Sequence, residues 1–388
     1  MSDRIPRDKE NDYTAEMATK RRDFVTSKTG VALDHVGSYS FDPAVTAGNV
    51  ENFIGVAQVP IGLAGPLLVN GEHAKGEFYV PMATSEGTLV ASYNRGMRLL
   101  HEAGGAMVTV VDDAMQRAPV FIFENARQAR DFGLWVEENF ELIKAQAETT
   151  TKSGKLRNIE QYAAGRMRYL RFNYTTGDAA GQNMVGKATF IACEWIKDSY
   201  AGIDRYMLSG AMDTDKKHSQ LNTLNTRGKR VIAEAVLPNE LIQRVMGVSS
   251  MALYKARAIT QVGNFMAGSV NTGAHSANGI TATFMATGQD VANVAESSAA
   301  VTYADIDEAG NYYFSITIPS LIVASYGGGT GLPTQQECLK LLGCDGDGKV
   351  RKLAEIIGAT VLAGELSLMS AVLAGDWVTS HDALGRNR

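Results

Sequence analysis

Four ionisable side chains scattered along the chain have the types needed to reduce a carbonyl: Glu86 in Pro81-Met-Ala-Thr-Ser-Glu-Gly87, Lys216 in Ser209-Gly-Ala-Met-Asp-Thr-Asp-Lys-Lys217, Asp290 in Gly288-Gln-Asp290, and the late His381. An ammonium can hold an oxyanion as it develops, a carboxylic acid can protonate it, and a second carboxylate can tune both. Taken singly, each has a plainer explanation. Glu86 could complement a helix dipole, Asp290 could cap an element, Lys216 and Lys217 could be solvated, and a histidine near a terminus is often idle. It is the set that points to chemistry.

The elements that must position this set can be read from periodicity and punctuation. Residues 1–50 are polar, with a charged helix over Ala15 to Thr29 in which Lys20-Arg21-Arg22 reads as a solvated face. The stretch from Glu51 to Pro66 is broken by glycine and proline, the mark of loops around short strands where backbone can approach a ligand. Phe78-Tyr79-Val80 leads into Ser85-Glu86-Gly87, which is expected to open a helix through Leu100 with Thr84 or Ser85 as N-cap. Between 118 and 208 the texture changes. Val120 to Phe123 reads as a strand, Asn125 to Thr149 as one long amphipathic helix, Arg168 to Tyr174 as a strand with Leu170, Phe172 and Tyr174 on one face, and Asn183 to Tyr200 as a helix. That alternation suggests a compact α+β insert. Strands are expected again at Val231 to Val236 and Tyr312 to Ile318.

Bulk properties exclude several classes. A chain of 388 residues with 45% hydrophobic and 20% charged residues suggests two or three globular domains. A net charge of −5 gives no basis for a nucleic-acid surface. Three cysteines (Cys193, Cys338 and Cys344) without C-x-x-C spacing argue against a disulfide framework or a structural zinc, so no metal is expected and a reducing compartment fits. The N-terminal residues lack the apolar core of a secretory signal. The apolar run Ile357 to Gly375 carries Glu365 in its middle and three glycines, so a buried core helix is expected rather than a membrane span, and the protein is expected to be cytoplasmic.

Two motifs mislead. Gly181-Gln-Asn-Met-Val-Gly-Lys187 follows the start of a P-loop, but Ala188 stands where the Mg²⁺-binding hydroxyl belongs. Nucleotide hydrolysis is thus disfavoured, while an anion at that helix start stays plausible. Asp345-Gly-Asp-Gly348 lacks the distal glutamate of a calcium loop and reads as a surface turn.

Together with Pro81 to Ser92, the segments Glu51-Asn-Phe-Ile-Gly55, Pro60 to Leu67, Gly177-Asp-Ala-Ala-Gly-Gln-Asn-Met184, Asp215-Lys-Lys217, Ala274-His-Ser-Ala-Asn278, Gly288-Gln-Asp290, Gly327-Gly-Gly-Thr330 and Leu362 to Ser370 carry a specific resemblance. In order and spacing, from about residue 15 onward, the chain resembles the 3-hydroxy-3-methylglutaryl-CoA (HMG-CoA) reductases, in particular the soluble catalytic portion of the class shared by eukaryotes, archaea and some bacteria. The resemblance implies an α+β fold: a helical N-terminal segment (1–50), a large CoA-binding domain (51–117 and 209–388), and an inserted small ferredoxin-like cofactor domain (118–208). It implies reduction of HMG-CoA to mevalonate and CoA with two NADPH, NADPH being expected ahead of NADH. Lys216 would hold the oxyanion, Glu86 would donate protons, Asp290 would tune both, and His381 would protonate the departing CoA thiolate. Arg117, Ser209, Asp215, Lys217, Asn278, Glu51 and Asn52 would bind substrate. Lys152, Asp178, Gln182, Asn183, Met184 and Arg386 would hold the dinucleotide. The family's distal lysine, which pairs with the terminal carboxylate, falls on Ile259, so either Lys255 or Arg257 replaces it or the acyl group differs. Homo-oligomers with sites between subunits are expected. The alternatives are a relative acting on another acyl-CoA, or a non-catalytic CoA-binding scaffold.

Overall fold

The computed structural model describes residues 4–375, so His381 and Arg386 lie outside the described residues. Its ten strands are β1 (Ile61–Gly71), β2 (Lys75–Ala83), β3 (Ala106–Arg117), β4 (Val120–Ile122), β5 (Lys155–Ala164), β6 (Met167–Thr175), β7 (Arg205–Met207), β8 (Gly228–Leu237), β9 (Val301–Ile306) and β10 (Tyr312–Leu321). They join in the order β7-β4-β6-β3-β8-β10-β9, with β1 and β2 extending from β3 and β5 from β6. Most pairs are antiparallel; β1 runs parallel to β3. The hinge of the arrangement is β3. Its residues Met107 to Ala114 pair with β8, and Met115 to Arg117 pair with β6.

Each part of this mixed α/β architecture has its own apolar cluster. One is formed by the inward faces of β1, β2, β8 and β10 with Leu89–Glu102 and Val350–Ala374. The other gathers Phe121, Phe132, Leu170, Phe172, Tyr174 and Ile196. The expected alternation on β6 holds in residue type, because Leu170, Phe172 and Tyr174 share its apolar face, while Arg171 and Asn173 are buried on the other. Helix Val350–Ala374 is 83% buried over its most apolar window, as the interrupting glutamate and glycines predict. It crosses Leu89–Glu102 so closely that a Cβ on Gly96 would meet the Ala363 carbonyl oxygen at 1.9 Å.

Three expectations need correction. The helix near Glu86 starts only at Leu89, with Thr88 at φ 68°. Thr84 Oγ1 instead accepts the Glu86 amide at 2.9 Å, which makes a local turn rather than a helix cap. The helix expected from Asn125 to Thr149 is two, Ala126–Glu138 and Phe140–Glu148. Asn139 ends the first by donating its side-chain amide to the Trp135 carbonyl at 2.9 Å. Ala15–Thr29 is a helix as expected, yet Arg21 is no solvated side chain. It is 1% exposed, donates to the carbonyls of Pro6, Asp12 and Phe53, and pairs with the Asp12 carboxylate.

Candidate active site

Lys216 lies on the connection between β7 and β8. The loop is tightly wound: Ala211, Thr214 and Lys216 all have left-handed backbone (φ 69°, 56° and 55°). For residues with a Cβ this conformation costs roughly 1–2 kcal/mol each, so other contacts must hold it. The ammonium of Lys216 donates to Asp290 Oδ2 at 2.7 Å. Both side chains are partly open, at 42% and 44% exposure, which leaves room for a substrate oxygen. Asp290 is itself fixed, because its Oδ1 accepts the Ala292 amide at 3.0 Å as the cap of a short 3₁₀ turn. Two of the four expected catalytic groups thus meet directly.

Glu86 makes a different contact. Its Oε2 accepts from the Asn278 side-chain amide at 2.7 Å, and the pair lines a cleft of about 230 Å³ with Thr84, Thr281 and Met285. Asn278 stands in the first turn of Ser276–Thr287. The carboxylate of Glu365, completely buried, accepts the amides of Ala274, His275 and Ser276 and pairs with Arg257 Nη2 at 3.1 Å. A charge at these unpaired amides complements the positive end of the helix dipole. The Tyr93 hydroxyl donates to the His275 carbonyl at 2.5 Å. Burial pushes the His275 imidazole below its ordinary range, so it is neutral near pH 7.

The proposed acyl-binding residues cluster in a cleft of about 450 Å³ lined by Arg117, Ser209, Asp215 and Lys217. Asp213, which is not among the predicted binding residues, organises them. It is 2% exposed and accepts from Arg117 Nη1 at 2.9 Å and Ser209 Oγ at 3.0 Å. Arg117 Nε is buried and has no hydrogen-bond partner among the described residues. Lys217 Nζ donates to the Asp215 carbonyl at 3.0 Å, and Asp215 Oδ1 accepts from Gln182 Nε2 at 3.1 Å. Glu51 is exposed, and Asn52 accepts from Arg7 Nε at 2.9 Å.

Gln182, Asn183 and Met184 open the helix Gln182–Ser199. Its N-cap is Gly181 at φ 84°, with no side chain capping the first-turn amides. Those donors fit a phosphate group. The Lys152 segment lies against this turn, since Thr151 Oγ1 donates to Met184 Sδ at 3.1 Å. Asp178 serves the protein instead of facing outward. Its carboxylate accepts from Ser325 Oγ (3.1 Å) and from the amides of Gly348 (2.7 Å) and Val350 (3.2 Å). Burial pushes this carboxyl up, but the donors outweigh it and hold it below the usual carboxylate range. The look-alike phosphate lysine, Lys187, is exposed on the next turn.

A family model described as hydroxymethylglutaryl-coenzyme A reductase matches residues 17–386. The chain belongs to this family. It is 43% identical over 374 residues to the 3-hydroxy-3-methylglutaryl-coenzyme A reductase of Pyrococcus abyssi, covering 94% of this chain and 92% of that one. The reductase of Methanocaldococcus jannaschii is 44% identical over 382 residues, with 96% and 94% covered. Among solved structures, the class II 3-hydroxy-3-methylglutaryl-CoA reductase of Streptococcus pneumoniae bound to NADPH has the same fold. It superposes with a TM-score of 0.70 at 20% identity, covering 91% of this chain and 86% of that one.

The sequence-predicted residues therefore divide into two directly paired sets, Lys216 with Asp290 and Glu86 with Asn278, and a cleft of proposed acyl-binding residues tied together by Asp213. Two buried residues escaped sequence reading. Glu296 accepts the Lys216 amide at 2.6 Å, and Arg227 pairs with both Glu296 and Asp215. Neither sits in a motif with a chemical signature; Val-Ala-Glu296-Ser reads as an ordinary helix surface. Elsewhere, Glu72, His73 and Glu355 bring possible ligand atoms within 4.8 Å of one another. Glu355 is already occupied, accepting the amides of Glu72, His73 and Ala74 to close a turn.

Proposed function

We propose that the protein reduces HMG-CoA to mevalonate and CoA with two NADPH, and that Lys216 with Asp290 is the centre of the reaction. The observation that carries this is the 2.7 Å contact between an accessible ammonium and a capped carboxylate, in a chain belonging to the reductase family. When bound, NADPH supplies one hydride at each of two steps. At the first, the thioester carbon becomes tetrahedral and its oxygen takes negative charge, which Lys216 stabilises at short range. Collapse breaks the carbon–sulfur bond, and His381 protonates the thiolate that leaves. At the second, the aldehyde carbon accepts hydride and Glu86 gives the resulting alkoxide its proton. Asp290 keeps Lys216 charged, and Asn278 orients Glu86.

Arg117, Ser209, Asp215 and Lys217 bind the acyl portion, and Glu51 and Asn52 complete the substrate-binding set. The uncapped amides of Gln182, Asn183 and Met184 receive the pyrophosphate, with Asp178 holding their turn against Gly348 and Val350. Lys152 and Arg386 take the 2′-phosphate, which favours NADPH over NADH. Residues 118–208 form the inserted ferredoxin-like cofactor domain, 51–117 with 209–388 the large CoA-binding domain, and 1–50 a helical N-terminal segment; the two apolar clusters joined through β3 support that division. Ile259 is 72% exposed, and Arg257 is committed to Glu365 and to the face of Phe314, 4.6 Å from its centroid. The exposed Lys255 is then the cation for the terminal carboxylate. The assembly is a homo-oligomer, at least a dimer, in which a neighbour presents the dinucleotide. Burial of the most apolar helix supports a cytoplasmic protein.

Substituting Lys216→Ala tests the reading. Turnover of HMG-CoA with NADPH is expected to fall about 10²–10³-fold in kcat, the range seen when one oxyanion donor is removed. Undiminished turnover in that variant would refute the assignment.

A further inference from the structure

We infer that Glu296, acting with Arg227, is a positioning residue that sets the backbone of Lys216 and thereby aims its ammonium at the reacting oxygen. The inference rests on the role given to Lys216 above and deepens it. Lys216 has φ 55°, a conformation that a residue with a Cβ does not hold unaided. Two contacts from buried side chains hold it. Glu296 Oε1 accepts the Lys216 amide at 2.6 Å, and Arg227 Nη2 binds Oδ1 of the preceding residue, Asp215, at 2.6 Å. Arg227 Nε closes the circuit on Glu296 Oε1 at 3.3 Å, and its Nη1 donates to the Gln116 carbonyl at 3.3 Å. Both Arg227 and Glu296 have 0% exposure. The circuit reaches the dinucleotide turn as well, because Gln182 Nε2 donates to Asp215 Oδ1 at 3.1 Å and to Asn293 Oδ1 at 3.0 Å.

Packing gives no reason for such an arrangement. A carboxylate and a guanidinium are buried together, and Glu296 Oε2 has no hydrogen-bond partner among the described residues. Burial pushes the Glu296 carboxyl above its ordinary range, against the pull of the Lys216 amide and Arg227. Apolar side chains of similar volume would fill the space at no such cost. What they would not do is accept the amide of a left-handed lysine.

Geometry and charge can be separated by three substitutions. Glu296→Gln keeps an acceptor at the Oε1 position and removes the charge. Glu296→Asp keeps the charge and draws the acceptor back by one methylene. Glu296→Ala removes both. Glu296→Ala and Glu296→Asp are expected to lose about 10²-fold in kcat, the penalty for displacing a reacting group by roughly an ångström, with KM for HMG-CoA and NADPH changed less than about threefold. Glu296→Gln is expected to recover kcat to within about tenfold of the unaltered enzyme, because a neutral acceptor keeps roughly half the strength of a charged one. A purely structural role predicts instead that kcat per folded molecule is the same in all three while thermal stability falls. That result, or full activity in Glu296→Asp, overturns the inference. If Lys216→Ala retains turnover, the reading of the reaction fails; if Lys216→Ala is inactive and the Glu296 variants are not, this inference alone fails. Hydrogen exchange resolved to the Lys216 amide in the unaltered enzyme tests the contact itself: protection at that amide is expected, and exchange at the rate of open loop overturns the inference.

Discussion

Lys216 has a left-handed backbone that its own side chain disfavours, and the neighbouring residues show how that is sustained. The residue types were visible in the chain, and so was the resemblance that put Lys216, Asp290, Glu86 and Asn278 in one family pattern. What linear sequence hid was the buried support: Asp213 under Arg117 and Ser209, Glu296 under Lys216, Arg227 under both acids. A polar residue becomes a supporting group only by burial, and burial of an isolated glutamate has no local signature. The same limit applied to the terminal carboxylate of the substrate. Sequence offered Lys255 and Arg257 equally, and only the contact of Arg257 with Glu365 separates them. Lys255→Ala is expected to raise KM for HMG-CoA about tenfold, equivalent to roughly 1.4 kcal/mol, with kcat little changed. Unchanged KM would return that role to another group.

At the scale of elements, long periodic segments were legible and short polar ones were not. The alternation on β6 and the buried helix Val350–Ala374 follow from apolar spacing alone. β5 escaped notice because its residues, Lys155 to Ala164, are largely polar and half-exposed, so no period-two apolar signal exists. The break at Asn139 and the late start at Leu89 were decided by side chains bonding nearby backbone, Asn139 to Trp135 and Thr84 to Glu86. Asp178 illustrates how one carboxylate can tie distant elements, joining the turn after β6 to the start of Val350–Ala374. Its folded pKa is depressed, so its stabilisation is present above the unfolded value and disappears as pH falls through the folded one. Asp178→Ala is therefore expected to lose about 2 kcal/mol of stability at pH 7, since three donors lose a charged acceptor. Denaturant melts of both proteins should converge as pH drops below about 4. A difference independent of pH would mean the carboxylate charge contributes nothing.

The whole molecule presents a surface that a single chain does not cover. Helix Ser250–Met266 exposes Ile259, Val262, Phe265 and Met266, the last two at 85% and 80%. An apolar row of this kind on a folded domain is what the proposed homo-oligomer requires of an association surface. Phe265→Glu is expected to shift the protein from an oligomer to a monomer in sedimentation and to reduce turnover with it; a fully active monomer would show that one chain holds a complete site. A four-electron reduction at one centre has a stoichiometry that can be counted. With purified protein, HMG-CoA and NADPH, nicotinamide absorbance lost is compared with CoA thiol released at completion. Two NADPH oxidised for each thiol, with mevalonate formed, is the predicted result; one per thiol, or thiol release without oxidation, would contradict it.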